Sequence, residues 1–149
     1  MSVSALFAAA MSAAVIVSPC DVVSKQEVEK LLHGRAVDLP SSEIGEETAP
    51  SCLWATAGRH TEMKLSIWSK DELPVVSMPD AASYFVKLKA EEAGAIDLPI
   101  GDRAFASAPG RDVYGRIVIV KGEKLFTFEY ARVNAREARA FAARVMSRI

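Results

Sequence analysis

The chain has 149 residues, enough for one domain with a real core and too few for two independent ones. Half of them are hydrophobic, a quarter are charged and the net charge is −1, which excludes a disordered chain and gives no sign of a nucleic-acid partner. The charge is uneven: residues 21–50 hold seven Asp or Glu against three Lys or Arg, and residues 132–149 hold five Arg against one Glu. A basic C-terminal helix of this kind reads as a solvated face, and peripheral contact with an anionic envelope surface stays open beside that reading.

Residues 1–18, MSVSALFAAAMSAAVIVS, carry no charge and are apolar from Val3 to Val17, with a small-residue cleavage pattern at Ser12-Ala13-Ala14. The segment reads as a signal peptide without the usual basic n-region, and residues 19–149 as the domain that follows. The apolar run is too short for a confident membrane span, which needs about 20 residues. Pro19 stands directly before Cys20, where lipoprotein signals require a small residue, so acylation is not expected. In an oxidising periplasmic or extracellular compartment, two cysteines read as one disulfide, Cys20–Cys52. Closing a loop of this length is worth about 3 to 4 kcal/mol against the unfolded chain. The competing reading is a thiolate at a helix N-terminus, but there is no C-x-x-C and neither histidine lies near either cysteine.

The first helix is announced by Ser24 and Glu27 as a capping box and by Val23 and Val28 as a hydrophobic staple, with Gly34 to end it. Residues 35–50, rich in Pro, Ser and Gly, predict an extended segment with one short strand. Cys52 to Thr56 and Met63 to Trp68 predict a hairpin linked near Gly58, in which Trp68 faces away from Met63, Leu65 and Ile67. A second helix follows Asp80, with Ala81, Phe85 and Leu88 inward, and stops at Gly94. Ile96, Leu98 and Ile100 alternate with polar residues and Pro99, which predicts an edge strand.

YGRIVIVKGEKLFTFEY predicts a hairpin about a two-residue type II′ turn at Gly122-Glu123. Its register sets Ile119 against Phe126, Ile117 against Phe128 and Gly115 against Tyr130 on one face. Val120 then meets Leu125, Val118 meets Thr127 and Arg116 meets Glu129 on the other. The closing helix starts at Asn134 with Glu137 and runs to Ile149, presenting Ala138, Phe141, Ala142, Val145 and Ile149 inward. The fold class is therefore α+β, in the order α-(β)-β-β-α-β-β-β-α. We expect a single antiparallel sheet of five or six strands with three helices mainly on one face.

Motifs of chemistry are scarce. GRDVYGR, Gly110 to Arg116, spaces two glycines like a phosphate loop but lacks the Lys and leads into a strand. His33 and His60 have no ligating residue at metal spacing, and the adjacent acidic pairs point apart on any regular element. No serine sits in G-x-S-x-G. No catalytic residue, metal or cofactor is expected.

Taken together, PCDVVSKQEVEKLLHG, CLWA and LPIGDRAFASA, followed by a strand hairpin and an amphipathic helix, resemble a small family of exported bacterial proteins of unknown function. Many of these are lipoproteins, typified by P-C-x-L-L-[ST]-x-x-E-[AV], a second C-x-W and a late G-L-G-D-x-A. The extracellular sensor domains of some bacterial receptor kinases are similar in architecture. The likeness spans most of residues 19–149 and rests on Cys20, Cys52, Trp54 and Gly101-Asp102-Arg103-Ala104. This chain departs in lacking the lipobox and in having Pro99-Ile100 where the family favours Gly-Leu. The resemblance implies an exported, disulfide-pinned domain and no catalytic residues.

The expected function is a non-enzymatic binding module for an unknown small molecule or protein. Trp68, Trp54, Arg103 and Arg111 are its candidate surface; for Trp54, core packing beside the disulfide is the stronger reading. The alternative is a cell-envelope inhibitor or immunity protein presenting the loop Ser69 to Pro79. An enzyme would require Asp102, Arg103, Arg111 or Asp112 to converge in a pocket.

Overall fold

The computed structural model describes residues 18–39, 49–108 and 114–149. Residues 1–17, Pro40, Ser41, Ser42 and Gly45 of the extended segment, and Arg111 and Asp112 lie outside the described residues. The elements are α1 (Pro19–Val22), α2 (Lys25–Leu32), β1 (Ala36–Leu39), β2 (Ser51–Thr56), β3 (Glu62–Trp68), α3 (Ala81–Glu91), β4 (Ile96–Leu98), β5 (Arg103–Ala106), β6 (Tyr114–Lys121), β7 (Lys124–Ala131) and α4 (Ala135–Met146). Two short 3-10 turns, Ala57–Arg59 and Leu73–Val76, follow β2 and β3. All seven strands form one antiparallel sheet in the order β1-β2-β3-β7-β6-β5-β4.

The α+β class with a single antiparallel sheet is as expected, with two additions. One is α1, a single turn whose N-cap is Ser18. The other is β5, made possible because the chain reverses after β4 through Gly101, which has φ +60°. β4 lies at the sheet edge, and Pro99, which has no N–H to give a ladder, falls just past its end. The β6–β7 hairpin holds all six pairings read from the sequence. Gly122 has φ +60° and Glu123 does not have a positive φ, the backbone signature of a type II′ turn.

The helices do not share one face. Cys52, Met63, Leu65, Ile117, Ile119, Phe126 and Phe128 form one core with residues of α2 and α4. Phe105, Val118, Val120 and Leu125 form a second core beneath Phe85 and Leu88 of α3 and Leu73 of the 3-10 turn. The reason is in β6, where Ile117, Val118, Ile119 and Val120 are all buried, so apolar side chains emerge from both sides of the strand and both need cover.

On the first face the helix ends fit the sequence signals closely. Ser24 Oγ accepts from Glu27 N–H while the Glu27 carboxylate accepts from Ser24 N–H, a complete capping box. Val23 and Val28 are both buried in the core they staple. The left-handed residue ending α2 is His33, φ 55°, rather than Gly34. α2 and α4 are tied at both ends: Arg148 reaches Glu27 at 2.8 Å and His33 Nε2 reaches Glu137 at 2.9 Å. The two helices therefore run antiparallel.

Asn134 Oδ1 accepts from the N–H groups of Arg136 and Glu137, as expected of the α4 cap. The helix stops at Met146, which takes the buried place expected for Ile149; Ile149 is 41% exposed. Lys121 ends it by donating its Nζ to the Met146 and Ile149 carbonyls, a cation at the negative end of the helix dipole.

Glu27 yields a prediction. Burial acts to raise its carboxyl pKa, but the Ser24 N–H, Arg148 and the Ser24 hydroxyl outweigh it, and the group is held below the ordinary glutamate value. A lowered folded value means the unfolded chain binds this proton first. The stabilisation is thus complete above the ordinary value of about 4.3 and is lost as pH falls through the folded one. Chemical denaturation between about pH 6 and 3 should show stability declining below about pH 4.5, with a shallower decline in Glu27→Gln. An unchanged slope in Glu27→Gln would remove Glu27 from the account.

Candidate functional site

α3 covers only part of its sheet face. Along β3 the side chains on that face are Glu62, Lys64, Ser66 and Trp68, and the cover of α3 and the Leu73 turn reaches the Trp68 end. The uncovered remainder is floored by charged residues. Leu53, Lys64, Glu129 and Arg116 form one lateral rank across β2, β3, β7 and β6. Glu62, Ala131 and Tyr114 form the next rank across β3, β7 and β6. With Glu92 and Ala93 past the end of α3 and Ser107 and Ala108 past β5 as a wall, these ranks enclose an open groove of about 690 Å³.

Charge alternates along the floor. Lys64 Nζ lies 2.7 Å from Glu129 and the Arg116 guanidinium 2.9 Å from Glu92. At the groove end Arg59 meets Glu62 at 2.5 Å. Arg116 does face Glu129 across the hairpin as expected, but its ion pair runs to the end of α3, while Glu129 turns to β3. All three pairs are partly exposed, so their value is in the pattern of donors and acceptors more than in stability. Tyr114, 69% exposed, stands at the start of β6 with its ring open to solvent. The groove therefore offers paired donors and acceptors on the floor and one apolar ring face at the rim.

The residues singled out in the sequence lie elsewhere. Trp54 is 2% exposed and packs in the first core with Cys52, as its core reading implied. Trp68, expected to be an exposed contact, is buried at 9% because the Leu73 turn and α3 cover that end of the sheet. Its ring meets Tyr84 edge-on at 5.3 Å. Both indoles are thus withdrawn from the candidate surface. The Arg103 guanidinium rests 4.7 Å above the Phe85 ring, at the covered end. Arg111 falls outside the described residues.

The Gly101-Asp102 motif resolves into structure. Asp102 Oδ2 accepts from Gly122 N–H at 2.7 Å and Asp102 N–H donates to the Val120 carbonyl at 2.8 Å, so the β4–β5 link clamps the β6–β7 turn. Asp102 and Arg103 are neighbours in sequence with separate tasks. Cys20 and Cys52 form a disulfide, with Cα atoms 5.3 Å apart, and neither is free. Among the described residues no cluster of three or more His, Cys, Asp or Glu could hold a metal, and no helix is long and apolar enough to cross a membrane.

The groove residues carried only a weak sequence signal. Lys64 on the polar side of β3 and the Arg116–Glu129 pairing were visible, but nothing local says that these three strands meet or that α3 stops short of them.

No protein-family model matches the chain, and no curated protein matches it. Among solved structures, a GTP binding regulator from Thermotoga maritima is similar at 15% identity, over 89% of this chain and 93% of that chain, with a TM-score of 0.43.

Proposed function

We propose that the protein is an exported, non-enzymatic binding module whose ligand occupies the groove beside α3. The observation that carries this reading is the uncovered charged and aromatic end of a sheet face otherwise buried under α3. An open polar hollow of this size on a rigid sheet suits a small molecule or an extended segment. Export is supported by the Cys20–Cys52 bridge, which persists in oxidising compartments, and by the uncharged apolar residues 1–18. The likeness to exported bacterial proteins of unknown function points the same way.

Non-reducing intact mass spectrometry of the protein from fractionated cells tests the export half. The expected species is in the periplasmic or secreted fraction, lacks the N-terminal apolar residues and is two hydrogens short of the dithiol. A cytoplasmic chain that keeps Met1 and two free thiols would sink the reading.

A second reading, an inhibitor or immunity protein, draws on the loop Ser69 to Pro79. Glu72 accepts from Ser69 N–H at 2.7 Å, Leu73 anchors the loop in the core, and Val75 stands 63% exposed at its crest. If this loop is the contact, Val75→Asp abolishes stoichiometric recovery of an envelope enzyme that the parent protein captures. Recovery unaffected by Val75→Asp counts against it.

A further inference from the structure

We infer that the groove takes a neutral, hydroxyl-rich ligand of the saccharide class; this rests on the groove's being the binding site. The described floor and wall balance three cations, Arg59, Lys64 and Arg116, against three carboxylates, Glu62, Glu129 and Glu92. Each cation already lies within 2.9 Å of a carboxylate. An anionic ligand drawn to Lys64 or Arg116 would meet a cation already neutralised and lie against the charge of Glu129 or Glu92, and a cationic ligand would meet the same opposition from the bases. A hydroxyl escapes this constraint because it donates and accepts at once. Seated over Lys64 and Glu129, one hydroxyl donates to the carboxylate and accepts from the ammonium, leaving both charges satisfied.

The rank Lys64, Glu129, Arg116 repeats this arrangement at neighbouring strands, which lie about 4.8 Å apart. That spacing suits equatorial hydroxyls on alternate carbons of a sugar ring better than a single point charge. Next to it, Tyr114 presents its open ring beside its strand partner Ala131, a side chain too small to cover it, in a lining that also holds Ala93 and Ala108. An aromatic face is what the C–H side of a pyranose packs on, its ring quadrupole being negative on the face.

The test is protein NMR on the full oxidised domain, titrated separately with chitotriose, maltotriose, cellotriose, succinate and trialanine. At least one trisaccharide should shift the amides of Lys64, Arg116, Glu129 and Tyr114. Its affinity should change less than about twofold between low and high salt, since no net charge is exchanged. Tyr114→Ala should weaken it about tenfold while leaving the rest of the spectrum in place. Shifts at the groove from succinate or trialanine and from no saccharide would overturn the ligand class and keep the groove. Saccharide shifts confined to residues outside both ranks would overturn the groove itself. Silence from every probe to about 20 mM, where a millimolar ligand is saturated, would also end the saccharide assignment.

Discussion

Replacing Cys20 and Cys52 together with serine should cost about 2–5 kcal/mol of stability. The bridge joins residues 32 apart, and chain-entropy arguments for a loop of that length give about 3–4 kcal/mol. The folded side adds to this. α1 is a single helical turn, far below the length at which a helix holds itself in water, and the disulfide seats it on β2. Denaturant titration of parent and variant, each with and without reductant, checks the claim. The parent should lose stability on reduction to about the variant's level, with a steeper denaturant dependence as the unfolded chain expands. A parent whose midpoint ignores reductant would mean that the bridge does not form or constrains nothing.

Gly101→Ala should cost about 2–4 kcal/mol. At φ +60° a Cβ carries a penalty of about 1–2 kcal/mol by itself. Here the new methyl would also lie 2.7 Å from Ile119 Cγ2 and 2.7 Å from the Val120 carbonyl oxygen. That carbonyl is not free to retreat, since it accepts the Asp102 N–H, and Ile119 is fully buried. Gly122→Ala is the internal control: it has the same φ of 60° but nothing within 4 Å of the added carbon. It should show the conformational part alone, about 1–2 kcal/mol. Equal losses at both glycines would leave the steric part of the account without support.

Sequence reasoning succeeded where the information is local. Ser24 and Glu27 sit three residues apart and cap α2 as expected; Gly122-Glu123 sets the β6–β7 register without help from distant chain. It failed where placement depends on what covers a strand. The alternation of β3 sends Trp68 opposite Met63, Leu65 and Ile67, which is correct, but whether that side meets water is decided by α3 and the Leu73 turn. The run Ile117 to Val120 held the clue, since four successive apolar residues in a strand mean cover on both faces. β5 was missed because Arg103 to Ala106 is short and its start lies behind a turn set by Gly101. The groove as a whole could not be read, because its floor joins residue 64 of β3 to the 116–129 pair of β6 and β7, and only the second of these is a local pairing.

The strand order has a kinetic meaning. Every neighbour in the sheet is also a neighbour in sequence except β3 and β7. The chain is thus two meanders, β1 to β3 and β4 to β7, sewn along one seam. Pairing within each half needs only short or moderate closures, whereas the seam must bring Trp68 to Leu125 and Glu62 to Ala131. The entropy of that one long closure is the natural bottleneck in assembly. The covalent link at Cys20–Cys52 lies wholly inside the first half, so oxidation steadies one partner of the docking step without shortening the distance the other must travel.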